Sequence, residues 1–269
     1  MSVDRPVDDV PASGFGAWRR RHPALAEVVL LAGLYCAYSV IRSFSGDERI
    51  EARENALRIL RLQADLQLDF EASLNRWALG SHGGSIAASF FYASGHFLVT
   101  GLLLVLLFRY RRSVYPRLRT TLIAATAGAL VLYLVLPTAP PRLFGRPYVD
   151  MLAVTADHGW WGANASAPKG MGGFTNELAA FPSMHAGWSL WVAIAVFVAT
   201  HRWWLRALAV GYAALTAFVV VITANHWTLD IIAGWAVMGA AAALCLRWGR
   251  TRTPAREPLL VATGGQLEA

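Results

Sequence analysis

Six apolar runs punctuate the chain, at about 24–41, 84–108, 120–136, 184–200, 203–222 and 226–246. Each approaches or exceeds the roughly 20 residues that cross a hydrocarbon core as a helix. The third and fourth are short, and need flanking residues or a thin bilayer to span. Between the first two runs lies DERIEARENALRILRLQADLQLDFEASLNRWAL, where Ala56, Leu60, Gln63 and Leu57, Ala64 alternate with Arg and Glu at helical spacing. This pattern predicts one or two amphipathic helices, either lying on the membrane surface or packed on the bundle. After the third run, Pro137, Pro140 and Pro141 stop the helix. A Gly- and Asn-rich polar loop then extends to Asn176.

The pattern therefore predicts an all-α, polytopic membrane protein. It has a bundle of six transmembrane helices and an amphipathic interfacial segment between the first two. Its expected organisation is an N-terminal tail over 1–23, one membrane domain over 24–247 and a C-terminal tail over 248–269. Composition agrees. Hydrophobic residues make up 56% of the 269 and charged residues only 15%, against about 25% charged in soluble domains. The first 23 residues, with Pro, Asp and a basic RRRH, lack the apolar core of a cleavable signal peptide. Cys36 and Cys245 both lie in apolar runs, where a disulfide is not expected and no metal spacing is present.

The net charge is +7, and Lys169 is the only Lys among 24 basic residues. The Arg residues cluster beside the apolar runs, so they read as topology signals and not as a nucleic-acid surface. RRRH before the first run, RYRRSVYPRLR after the second, HRWWLR after the fourth and RWGRTRTPAR after the sixth share one side of a six-span chain. That side is expected to be cytoplasmic. Glu27, near the start of the first run, is expected to reach the headgroups there. The opposite side receives the amphipathic segment, the 137–183 loop and the turn before the sixth run. His185 and His226 thereby fall at the same outer face, in the first turns of the fourth and sixth spans.

His226 and Asp230 stand four residues apart in NHWTLDIIAG. On a helix that spacing puts both on one face. A carboxylate bonded to one ring nitrogen fixes the tautomer and frees the other nitrogen to attack. A structural His–Asp pair that stitches helices together fits the same spacing. Two imidazoles at one membrane face also suit a nucleophile and a general acid for cleaving a phosphate ester. Arg142, Arg146 and Lys169 are the basic residues of the same outer loop, and Ser183 could add a hydroxyl. Interfacial anchoring is the competing role for the two Arg residues. His96, inside the second run, either lines a cavity or makes a structural hydrogen bond. Asn176 reads as a turn or cap residue. Trp188, Trp191, Trp203, Trp204 and Trp227 fit an aromatic belt.

FPSMHAG and NHWTLD resemble the second and third signature motifs of the type 2 phosphatidic acid phosphatase superfamily. The PTAPPR segment, the TNELAAFPSMH lead-in and NH followed by an aromatic and an Asp resemble its inositol phosphorylceramide synthase-like branch. The likeness runs from about residue 50 to 240 and includes ARENALRIL. It implies a six-helix bundle and a phosphohistidine route without metal or other cofactor. His226 would attack phosphorus, Asp230 would hold it, and His185 would protonate the leaving alcohol. Water or another alcohol would resolve the phosphoenzyme. The expected partners are a lipid phosphate and the surrounding membrane lipids, with no nucleic acid. The expected location is a bacterial cytoplasmic membrane, with the site at the extracytoplasmic face.

The chain also departs from the superfamily pattern. Val219 and Val220 occupy the place of a Ser-Arg pair. Ala139 stands seven residues before Arg146-Pro147, where a Lys opens the first motif. The phosphate-binding cation must then come from elsewhere, and Arg142, directly after Pro140-Pro141, is favoured over Arg146. Inositol phosphate transfer remains an alternative outcome, as does a non-catalytic lipid transporter or binding protein.

Overall fold

The computed structural model describes Trp18, residues 21–43, 49–162, Lys169 and residues 176–248. All regular elements among the described residues are helical. The chain divides into a unit over Met1–Glu48 and a second over Arg49–Ala269. In the first, helix α1 covers Pro23–Ser43, over the first expected span. The two expected tails lie almost wholly outside the described residues, as does most of the loop from 163 to 175.

The second unit contains α2 (Arg49–Asp65), α3 (Glu71–Leu79), α4 (His82–Tyr110), α5 (Tyr115–Val135), the one-turn α6 (Met151–Val154), α7 (Met184–Ala199), α8 (Trp203–Ile222) and α9 (Thr228–Trp248). Four of these are long and apolar enough to cross a membrane: α4, α5, α8 and α9, the last over Thr228–Leu246. Helix α7 is apolar but has only 16 residues. The third span is longer than its hydropathy predicts. It begins at Tyr115 with Pro in its first turn and takes in Arg117 and Arg119, because Arg favours helix although it is not apolar.

Helix α4 has 29 residues, about 43 Å at 1.5 Å per residue. Its N-terminal part, before Tyr92, packs on the loop that follows α5. Thr155 donates to Ser89 Oγ at 2.8 Å, and Trp161 meets Phe90 edge-on at 4.8 Å. A π-helical turn interrupts α4 at Phe91–Gly95.

One core joins Leu107 of α4, Leu118, Leu122 and Ala125 of α5, Trp191, Val192 and Ala195 of α7 and Met238 and Ala241 of α9. Small residues at these seams let the helices approach closely, the usual basis of helix association in lipid. Gly234 marks the tightest approach: a Cβ there would overlap the backbone carbonyl of Ser183. Trp191 and Trp227 are fully buried and do not belong to an aromatic belt. Their indoles donate to the carbonyls of Leu118 and Ala139. Trp188 is half-buried and donates to Thr126, whereas Trp203 and Trp204 are exposed.

The amphipathic segment forms two helices that pack on the bundle through polar contacts. The buried face of α2 carries Ala52, Asn55, Ala56 and Gln63, and that of α3 carries Glu71, Asn75 and Ala78. Asn55 donates to the Pro137 carbonyl. Asn75 donates to the carbonyls of Val149 and Ile222 and accepts from the Val149 amide. These bonds tie both helices to the ends of α5 and α8 and to the loop that follows α5.

Candidate active site

Helix α9 begins at Thr228, so His226 lies in the turn before it and not in its first turn. The turn reverses through Ala224, whose φ is 58°. The residue spacing still works, because Asp230 reaches back. Its Oδ2 accepts from the Trp227 amide at 2.8 Å and lies 3.4 Å from His226 Nδ1. Asp230 thus both caps the helix start and faces the imidazole.

His226 Nδ1 also lies 2.9 Å from the Ala180 carbonyl. A carbonyl can only accept, so Nδ1 carries a proton, and in the neutral ring Nε2 then keeps its lone pair. The Ala180 carbonyl is itself placed by a short bridge to the segment after α5. There Thr138 donates to Leu178, and Ala180 donates back to Thr138.

The start of α9 is capped from a distance. Glu71 Oε1 accepts from the Thr228 amide at 2.9 Å, from the Thr228 hydroxyl at 2.7 Å and from Gln63 Nε2 at 2.7 Å. Gln63 Oε1 accepts from the Leu229 amide at 2.8 Å. The first N–H groups of a helix have no partner within it, and a negative charge there is favourable. Helices α2 and α3 therefore hold the helix that follows His226. Sequence reading assigned no role to Glu71 or Gln63. Their segment carries several other acids and a second Gln, so nothing in the sequence singled these two out.

His185 sits one residue into α7. Ser183 caps that helix, its hydroxyl accepting from the Ala186 amide at 3.3 Å, while its own amide donates to the Asp230 carbonyl at 2.8 Å. This second bond, at the Gly234 crossing, brings the two helix starts together. The His185 and His226 rings lie 5.6 Å apart between centroids, tilted by 59°. His185 Nε2 is covered and has no hydrogen-bond partner among the described residues. The ring stacks on Tyr92 at 4.4 Å and packs against His96 at 4.0 Å.

Arg142 is buried in a short turn after the prolines. Its amide donates to the Ala224 carbonyl, its Nε to Asn225 Oδ1 at 3.0 Å, and its Nη1 lies 3.5 Å from Asp150 Oδ2. One turn, Ala224–His226, thus carries both the imidazole and the anchor of the cation. Asn225 was not singled out in the sequence, although it directly precedes His226. Val219 and Val220 are packed in the apolar core, so the place of a Ser-Arg pair is filled by side chains that cannot bind phosphate.

The remaining candidates stand apart. Arg146 is exposed and makes no ion pair among the described residues. Lys169 is exposed, and among the described residues it is tied by its amide to the Trp160 carbonyl. Asn176 accepts from the Leu178 amide, as a turn residue does. Tyr148 packs edge-on to Trp227 at 5.4 Å. Burial, with Glu71 and Asp69 nearby, pushes its phenol up to about 12, which keeps it neutral and removes it as a base. Among the described residues, no group of three or more His, Cys, Asp or Glu is arranged to hold a metal ion.

Compared with known proteins, residues 57–244 match a family model described as the PAP2 superfamily. No curated protein and no solved structure gives a match.

Proposed function

The chain belongs to the PAP2 superfamily, whose members generally cleave phosphate esters, and from that premise we propose that it is a membrane lipid phosphatase or phosphotransferase working through a phosphohistidine. The observation that carries this reading is the placement of His226 Nδ1, 2.9 Å from the Ala180 carbonyl and 3.4 Å from Asp230 Oδ2, which puts a proton on Nδ1 and leaves Nε2 of the neutral ring as the nucleophile.

In the first step His226 Nε2 attacks phosphorus, and the bond from phosphorus to the lipid oxygen breaks. Asp230 offsets the positive charge that grows on the imidazole. The Arg142 guanidinium, fixed by Asn225, neutralises the phosphoryl oxygens. His185 gives its proton to the departing alkoxide. In the second step an acceptor hydroxyl attacks the phosphohistidine, and His185 takes the acceptor's proton. The lone pair returns to Nε2. With water as acceptor the product is inorganic phosphate, and with a polyol it is a new phosphate ester.

A lipid substrate is supported by placement. The site lies where α7 and α9 begin, among helices apolar enough to span a membrane. A molecule held in the bilayer can approach it laterally. The extracytoplasmic face is proposed from the Arg distribution. The deciding experiment assays purified protein for phosphate release from a panel of lipid phosphates, with and without added inositol. Release by wild type but not by His226→Ala supports the enzyme. Equal, negligible release by both on every lipid would favour a non-catalytic lipid-binding or transport role.

A further inference from the structure

The two imidazoles of the site are oriented by different means. His226 is held by hydrogen bonds, to the Ala180 carbonyl and beside Asp230. Among the described residues His185 has no comparable tether, and its Nε2 lacks a partner. An imidazole in a buried setting ordinarily has its polar atoms paired, and a ring without such bonds takes its orientation from what packs around it. The two nearest rings that do so, closer than His226 at 5.6 Å, both come from α4. Tyr92 lies face to face with His185, at 4.4 Å and 17°. His96 closes on it at 4.0 Å and 58°.

His96 is itself fixed. Its Nδ1 is 3.2 Å from the Tyr92 carbonyl, so that nitrogen carries the proton. The ring also packs against Phe97 at 3.9 Å and Trp188 at 5.8 Å. Trp188 is three residues beyond His185 on α7, which places His96 against the same face of that helix. Tyr92 is the second residue of the π turn Phe91–Gly95, and His96 directly follows that turn. Such turns widen the backbone by one residue and are concentrated at functional sites. Here the widened turn and the residue after it bring two rings against His185.

We infer that Tyr92 and His96 are positioning residues which hold the His185 ring in the orientation needed to protonate the leaving group. This rests on the phosphohistidine reading above. It deepens that reading by stating what orients the acid. Neither residue touches phosphorus or the acceptor. Their effect passes through His185, and it should appear only when the leaving group needs a proton.

The test compares two substrates of purified protein in detergent micelles. One is a long-chain alkyl phosphate, whose alkoxide must be protonated as it leaves. The other is p-nitrophenyl phosphate, whose phenolate leaves without help. General acid assistance is worth about 10²–10⁴-fold. His96→Ala and Tyr92→Leu are expected to lose about 100-fold in kcat on the alkyl phosphate and less than about 3-fold on the aryl ester. Tyr92→Phe and His96→Phe keep a ring in place and are expected within about 5-fold of wild type on both substrates, small beside the assistance at stake. These two variants also guard against misfolding as the cause. Parallel losses on both substrates, or unchanged rates in His96→Ala and Tyr92→Leu, would overturn the inference while leaving the enzyme reading intact. If wild type and His226→Ala are equally inactive on both substrates, the enzyme reading fails and the inference falls with it.

Discussion

Arg142 donates from Nε to Asn225 Oδ1 at 3.0 Å, which ties the buried cation to the residue immediately before the proposed nucleophile. Arg142 comes from the loop after α5 and Asn225 from the turn after α8, more than 80 positions apart in the chain. In the proposed mechanism the geometry between nucleophile and phosphate then depends on this side-chain bond, backed by the amide of Arg142 on the Ala224 carbonyl and by Asp150 at 3.5 Å from Nη1. Arg142→Ala is expected to lower kcat/KM for phosphate release by about 10²–10³-fold, the loss typical of removing one charge-stabilising donor. Arg142→Lys recovers little, because a point charge cannot reproduce both the Asn225 bond and a fork toward phosphate. Arg146→Ala, at an exposed position, should stay within about 2-fold, well short of that donor effect.

Asp230→Asn separates two contributions to the nucleophile. In a triad where the carboxylate alone sets the tautomer, its amide variant costs about 10⁴-fold. Here the Ala180 carbonyl holds Nδ1–H independently, at 2.9 Å. The expected loss is therefore smaller, about 10²–10³-fold, and reflects lost charge more than a wrong tautomer. Single-turnover labelling of His226 should slow in proportion. A loss of the full 10⁴-fold would mean that the Ala180 carbonyl contributes nothing to the tautomer.

How much of this was legible in the sequence follows from which contacts are local. The pairing of His185 with His226 at one face could be read from apolar run lengths and Arg positions, since both depend only on the order of spans. Arg142 could be favoured because the prolines stop α5 directly before it. The supporting residues could not. Gln63 and Glu71 meet the start of α9 across 166 and 157 positions, and hydropathy treats both as surface residues. Tyr92 and His96 reach His185 through a π turn, and a regular 3.6-residue period does not reveal one. Trp191 and Trp227 read as belt residues because composition cannot distinguish an interfacial indole from one bonded to a buried carbonyl.

The cap on α9 makes a stability prediction distinct from catalysis. Glu71→Ala strands the Thr228 amide and hydroxyl and the Gln63 amide at once. Leaving a buried donor unsatisfied costs about 1–3 kcal/mol, so thermal unfolding in detergent should shift downward. Glu71→Gln retains an acceptor oxygen and should recover much of the loss, though not the favourable charge at the helix start. If both variants melt as wild type does, α2 and α3 do not anchor α9.

Gly234→Ala tests whether the two helix starts must meet as closely as they do. The added methyl would collide with the Ser183 carbonyl, which belongs to the backbone and cannot rotate away as a side chain would. Helices α7 and α9 would have to separate, stretching the bond from the Ser183 amide to the Asp230 carbonyl and moving His185 away from His226. Overpacking of this kind costs about 1–3 kcal/mol, and misplacing a reacting group by about 1 Å can cost 10²-fold in rate. The variant is therefore expected to lose about 10²-fold in kcat with only a moderate fall in melting temperature. Gly239→Ala lies on the same helix, where an added Cβ meets nothing within 4 Å, and should leave both quantities unchanged. Equal behaviour of the two variants would show that the α7–α9 crossing does not set the distance between the histidines.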